Sequence, residues 1–426
     1  MKKNLLLAAA MLTGMFTFAQ TEVTVSLQPA YANQVYYKFS TNTQTPVVAS
    51  SWDLAFQKAS GMDLGGIRVN DGRGISTYQA GNGFANWATI NVADQTSWTS
   101  LYNSHTEWGT GAFDDTTLTG DLAYGWGFYN PVSHHVEGAV IFVLKYSATV
   151  YKKVFVQDYN PFTGVTTFVY STWDGTAWSA DQTATIGDLT TTGPSWKYYS
   201  LDTNAAVTVA PADTDWDMVF RKYYTNLGPD DAPMMYSVTG ALQSPAVSVA
   251  QTEENGAADV APVLPAADAY SAKINTIGDD WKSFTGSVYT IATDKTYYVK
   301  YADGTIYRLY FTSFAGSSTG NLTFNSTNVT PEAGLNDVTK DLSFGVYPNP
   351  TADKNITLFY DLKNSTADKN MVSIYSVTGA KVYETQITGN TGFYSKEINL
   401  SSLSAGMYIV KLDSGNASAT QRLIIQ

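Results

Sequence analysis

The chain has 426 residues, a formal net charge of −12, only three histidines and no cysteine. The absence of cysteine excludes disulfides, thiolate metal sites, a cysteine nucleophile and a lipid-bearing cysteine. Sparse, net-negative charge speaks against sustained contact with nucleic acid or an anionic membrane. Tyr, Phe, Trp, Thr and Val are abundant while 3.6-residue periodicity is scarce, so an all-β or strongly β-rich protein of two or three domains is expected.

In chain order, Lys2 and Lys3 precede a short apolar run that ends in Thr17-Phe18-Ala19-Gln20. A charged start, an apolar middle and a small-residue site read as a secretory signal peptide over residues 1–19. No stretch approaches the roughly 20 apolar residues of a membrane-spanning helix, so an integral membrane protein is not expected.

Residues 23–185 read as a first β domain and 195–328 as a second. Both carry one pattern: Trp52-Asp53-Leu54-Ala55-Phe56 and Trp216-Asp217-Met218-Val219-Phe220. Each copy follows a Tyr-Tyr strand, Tyr36-Tyr37 in the first and Tyr198-Tyr199 in the second. Recurrence at this distance reads as duplication of a whole domain, with Asp53 and Asp217 placed to tie down neighbouring turns. The glycine-rich stretch 61–83 reads as turns and loop, because no strand-to-helix context or Lys-Ser/Thr follows it. Strands are expected at 140–145 and 150–156. Residues 243–280, rich in Ala, Pro, Glu and Asp, read as a long loop. In the second domain Tyr297, Val299 and Tyr301 alternate with Lys300 and are expected on one face. Residues 329–341 read as a linker.

The Tyr-Tyr strand, the Trp-Asp-x-x-Phe strand, the late Tyr297-Tyr298-Val299-Lys300-Tyr301 hairpin and the final Gly320-Asn321-Leu322-Thr323-Phe324 together resemble the HmuY family of β-rich, haem-binding surface proteins. The resemblance covers both domains and is better in the second. It implies haem or a similar flat hydrophobic ligand as cargo. Residues 342–426 open on Tyr347-Pro348-Asn349-Pro350 and close with Leu403-x-x-Gly406-x-Tyr408-x-Val410-x-Leu412. They resemble the C-terminal sorting domain of type IX secretion, which implies export to the cell surface or medium and the secretion machinery as a partner. Periodicity alone gives this segment about seven strands in a small β-sandwich.

No enzyme is expected. A Ser-His-Asp triad would need His105, His134 or His135, and no Gly-x-Ser-x-Gly elbow accompanies them. Zinc spacing of the His-Glu-x-x-His kind is absent, and two adjacent histidines on a strand would face opposite sides. For haem, a protein offers His, Met, Tyr or Cys as axial donors; the resemblance implies His or Met, and the candidates are His134 or His135 in the first domain and Met234 or Met235 in the second. Arg68, Arg73, Arg221 and Lys222 are available to meet propionates. The competing reading is a structural or adhesive surface module that retains the scaffold without a haem site. Deletion of residues 346–426 should leave the protein in the periplasm of its host, measured by fractionation; normal appearance on the surface would contradict the sorting role.

Overall fold

The computed structural model describes residues 20–58, 65–189, 193–229, 231–254, 261–330, 342–362, 370–387, 390–414 and 417–426. The expected signal peptide and most of the expected linker lie outside them. The described residues are β-rich, with antiparallel sheets and short 3₁₀ turns, and none of their helices is long and apolar enough to cross a membrane. The chain separates into two compact units, residues 1–330 and 331–426.

Both expected β domains fall in the first unit, and their strands interleave. Leu54–Gln57, the strand after Trp52-Asp53, pairs with Trp196–Ser200, so that Leu54 faces Tyr199 and Ala55 faces Tyr198. Met218–Asn226, after Trp216-Asp217, pairs with Asn33–Lys38, so that Met218 faces Tyr37 and Val219 faces Tyr36. Each Tyr-Tyr strand therefore serves the Trp-Asp strand of the other half. The first strand, Gln20–Ser26, follows the same rule and pairs with Asn321–Asn328 at the far end of the unit. Gln182–Ile186, at the end of the expected first domain, pairs with Val165–Trp173 of the same domain.

The result is two sandwiches. One packs the sheet containing Leu54–Gln57 against the large sheet around Val140–Lys145, with Phe113 and Phe142 stacked at 3.7 Å in the core. The other is closed by residues from the start of the chain. Val23, Val25, Val35 and Tyr37 share a core with Phe220, Trp281, Phe311 and Phe324. Alternation works as expected at Tyr297 and Val299, which enter this core while Tyr298 packs on the opposite face with Ala250 and Ile306.

Two expected loops contain strands. Ser76–Asn82, in the glycine-rich stretch, pairs with Val140–Lys145, and Val247–Glu253 pairs with Lys295–Tyr301. The composition of the stretches around them, glycine-rich in the first and rich in Ala, Pro, Glu and Asp in the second, hid them. Their stability comes from a long-range neighbour that supplies the missing hydrogen bonds and buries one face.

In the second unit a three-stranded and a four-stranded sheet enclose a core that includes Leu358, Tyr360, Ile374, Tyr408, Val410 and Leu412. Asn349 of the opening motif reaches the last strand, Ala417–Ile425. Its Nδ2 donates to Arg422 O at 2.6 Å and its Oδ1 accepts from Ile424 N at 2.9 Å. Tyr408 Oη donates to Ser404 O at 2.9 Å, fixing the turn before its own strand.

Removing residues 20–48 should strip exchange protection from Met218–Asn226 and Asn321–Asn328 while Val140–Lys145 keeps its own. Hydrogen exchange with mass spectrometry checks this; equal loss in both sandwiches would contradict the interleaving. Replacing Trp52 or Trp216, both at most 4% exposed, by Ala should cost about 3–5 kcal/mol in denaturant unfolding.

Candidate functional site

Two buried carboxylates fasten the exchanged strands. Asp53 N donates to Tyr199 O at 2.9 Å, and Asp53 Oδ2 accepts from Leu201 N at 2.6 Å. Asp217 N donates to Tyr37 O at 2.7 Å, and Asp217 Oδ2 accepts from Phe39 N at 2.7 Å. A cation and a phenol complete each set: Arg73 and Tyr146 at Asp53, Lys38 and Tyr301 at Asp217. Asp53 and Asp217 thus do tie down a neighbouring segment, but it belongs to the other half of the unit.

Between the halves lies a cluster containing Tyr36, Trp52, Tyr198 and Trp216. Trp52 meets Tyr198 edge-on at 4.9 Å, and Tyr36 meets Trp216 edge-on at 5.1 Å. Arg221 lies over Trp52 at 5.4 Å and forms a buried ion pair with Asp71 at 2.7 Å. Such a pair is expensive to break, because a lone buried charge would remain.

Beside this seam is a groove of about 470 Å³. One wall comes from the first half: Tyr102, Asn103, Ser104, His105, Thr110 and Asp115. The other comes from Pro233 and Met235 of the second half. Asn103 frames the first wall by exchanging bonds with Val69 N and O and accepting from Ala112 N. Tyr102 packs edge-on against Tyr224 at 5.3 Å, joining the walls. Met235 begins the strand Met235–Gln243, held by Asn226, whose Oδ1 accepts from Gly228 N and Met234 N. Burial, reinforced by the charge of Lys273, lowers the His105 pKa. Its ring is therefore neutral at neutral pH and keeps a lone pair for a metal. Burial raises the Asp115 pKa, against the opposing hydrogen bond from Tyr102 N.

The structure brings only one of the four sequence candidates to this groove. Met235 lines it; Met234 is 57% exposed. His134 and His135 lie in a turn after Pro131, where His134 adopts a φ of 61°. Strand alternation does not hold there, and both rings lie 6.3 Å from the exposed ring of Phe162. Nδ1 of His134 is 2.6 Å from Tyr129 Oη, and Nδ1 of His135 is 2.8 Å from Asp158 Oδ1. His105 supplies the groove's imidazole, and nothing in its local sequence pattern distinguished it. Three of the four basic residues expected at a propionate rim are engaged in other bonds, and Lys222 is not among the groove's lining residues. Arg68 donates to backbone carbonyls, Arg73 pairs with Asp53 and Asp202, and Arg221 pairs with Asp71. Lys273 is the cation that acts on His105.

Comparison with known families bears on both units. Residues 192–326 match the HmuY protein family. The match runs from just before the Tyr198-Tyr199 strand into the first unit's last strand, Asn321–Asn328. Residues 345–426 match the secretion system C-terminal sorting domain. No curated protein matches the chain. The sorting domain marks the protein for type IX secretion to the cell surface or extracellular space.

In an NMR titration the His105 ring should titrate below the ordinary histidine value of about 6.5. Lys273→Met should move that midpoint upward, because it removes a neighbouring positive charge. An unchanged midpoint in the variant would contradict the electrostatic coupling.

Proposed function

We propose that this is an exported binding protein whose seam groove takes haem or a comparable flat, apolar, metal-centred ligand, with His105 and Met235 as the donors. The observation that carries this reading is the presence of an imidazole and a thioether in one groove, one from each half of the unit. His and Met are an established donor pair for haem iron. The groove's volume lies within the roughly 300–1,000 Å³ of small-molecule sites. Tyr102 and Pro233 supply apolar wall, and Lys273 supplies positive charge near the histidine. The donor set therefore fits the ligand class suggested by the HmuY match. When bound, the iron would add the central coordination bonds; the protein's part is to shape the groove, keep His105 neutral and exclude water.

The first half is, on the same reading, a second copy of the unit matched at 192–326. The support is the paired environments of Asp53 and Asp217 and the reciprocal Tyr-Tyr pairing. Binding rather than catalysis is the role proposed for the whole unit.

A structural or adhesive role is the second reading. It is favoured by the exposure of His134 and by the dense filling of both sandwich cores.

A haemin titration followed in the visible spectrum separates the two. Under the ligand reading, haemin binds more tightly than about 10 µM. His105→Ala and Met235→Ala each weaken it at least tenfold, whereas the His134→Ala, His135→Ala double variant binds normally. Binding should persist as pH falls below about 6.5 and be lost only through the lowered His105 pKa, where protonation removes the donor lone pair. Wild-type binding weaker than about 10 µM would leave the adhesive reading.

A further inference from the structure

The loop that carries His105 contains no regular secondary structure between Ser104 and Thr110. Irregular backbone at a partly buried site has to find partners for its carbonyls. Here one side chain supplies most of them. Arg68 Nη1 donates to the carbonyls of Glu107, Trp108 and Thr110 at 2.9, 3.0 and 3.0 Å, and Nη2 donates to Ser104 O at 2.7 Å. The guanidinium also lies 5.1 Å from the centroid of the Trp108 ring. Arg68 is 7% exposed, and burial lowers its pKa to about 10, which leaves it charged at neutral pH.

The loop is fastened on two further sides. At its end, a Cβ placed on Gly111 would stand 2.0 Å from Ile67 O, so this stretch presses directly on the strand Ile67–Val69 that presents Arg68. Toward the second half, Trp108 Nε1 donates to Gln243 O at 2.9 Å and Ile274 N donates to Thr106 O at 2.9 Å. Arg68 thus sits under a loop whose upper contacts reach the half that carries Met235.

We propose that Arg68 is the positioning residue of the groove: its four-carbonyl clamp holds residues 104–110 in the shape that keeps His105 in the same groove as Met235. This rests on the reading of that groove as the ligand site. The chemistry requires arginine specifically. A guanidinium spreads its donors over a planar fork and reaches several carbonyls at once, whereas a lysine ammonium offers three donors at one point. Lysine in its place would keep the charge and lose the geometry. The carbonyls left over would turn to water, and the loop would follow them.

The deciding variant is Arg68→Lys. Because charge is conserved, any change at His105 reports the loop rather than a lost cation. The His105 midpoint in an NMR titration should rise toward about 6.5, since burial is the main cause of its lowering. Haemin affinity should fall at least tenfold, with the exchange protection of the Trp52 and Trp216 strands retained. An unchanged His105 midpoint together with unchanged affinity would overturn the proposal. If wild-type protein fails to bind haemin, the haem reading falls, while the His105 shift in Arg68→Lys still decides the clamp. Should Arg68→Lys not fold, the wild-type protein provides the second measurement. A clamped guanidinium should give separate, slowly exchanging Nη–H resonances at low temperature; a single averaged signal would overturn the clamp.

Discussion

The first unit depends on two carboxylates that have no access to solvent. Asp53 and Asp217 are each 0% exposed, and each receives a backbone N–H from the residue just past the Tyr-Tyr strand of the other half. A buried carboxylate is tolerable only when its lone pairs are filled by donors and its charge is matched. Here Arg73 and Lys38 match the charges, and Tyr146 and Tyr301 fill remaining acceptor sites. Of these bonds, the ones from Leu201 N, Phe39 N and Lys38 form only when Tyr-Tyr strand and Trp-Asp strand are paired across the halves. The exchange is therefore specified by polar satisfaction as much as by apolar burial.

This arrangement has a consequence for where a ligand can sit. When each half is completed by a segment of the other, the seam between them is a packed interior, built from Trp52, Tyr198, Tyr36 and Trp216. The groove opens at the rim of that interior, and its two walls come from different halves. His105 and Met235 are thus brought together by the same contacts that stabilise the unit. Rigid placement of site residues by a packed support is the general requirement for a preorganised site. The second unit has its own core and its own pinning contacts through Asn349. None of the groove's lining residues belongs to it.

Much of this was legible in the sequence because it is local. Aromatic and β-branched residues at period two made the β-rich class plain, and Tyr297 and Val299 enter the core as their alternation required. The two Trp-Asp-x-x-Phe copies were visible as equivalent strands. The Tyr-Pro-Asn-Pro opening and the Leu-x-x-Gly-x-Tyr-x-Val-x-Leu strand marked the sorting domain, which the family match covers at residues 345–426. Ser76–Asn82 and Val247–Glu253 were not legible, because each lies in a stretch whose glycine or Ala/Pro/acidic composition reads as loop while its pairing partner lies far along the chain.

The sequence by itself determined the β-rich class, the alternating strands and the export tail, because each rests on side-chain alternation or turn chemistry within a few residues. Only the tertiary structure decided which strand pairs with which. A Tyr-Tyr strand has the same local pattern whether it folds back on its own half or crosses to the other. The crossing, in turn, decided the site. His134 and His135 are adjacent in sequence yet lie after Pro131, away from the groove, while His105 and Met235, 130 positions apart, line one groove. Periodicity carries no information about such a meeting, which depends on a loop clamped by Arg68 and a hairpin from the opposite half.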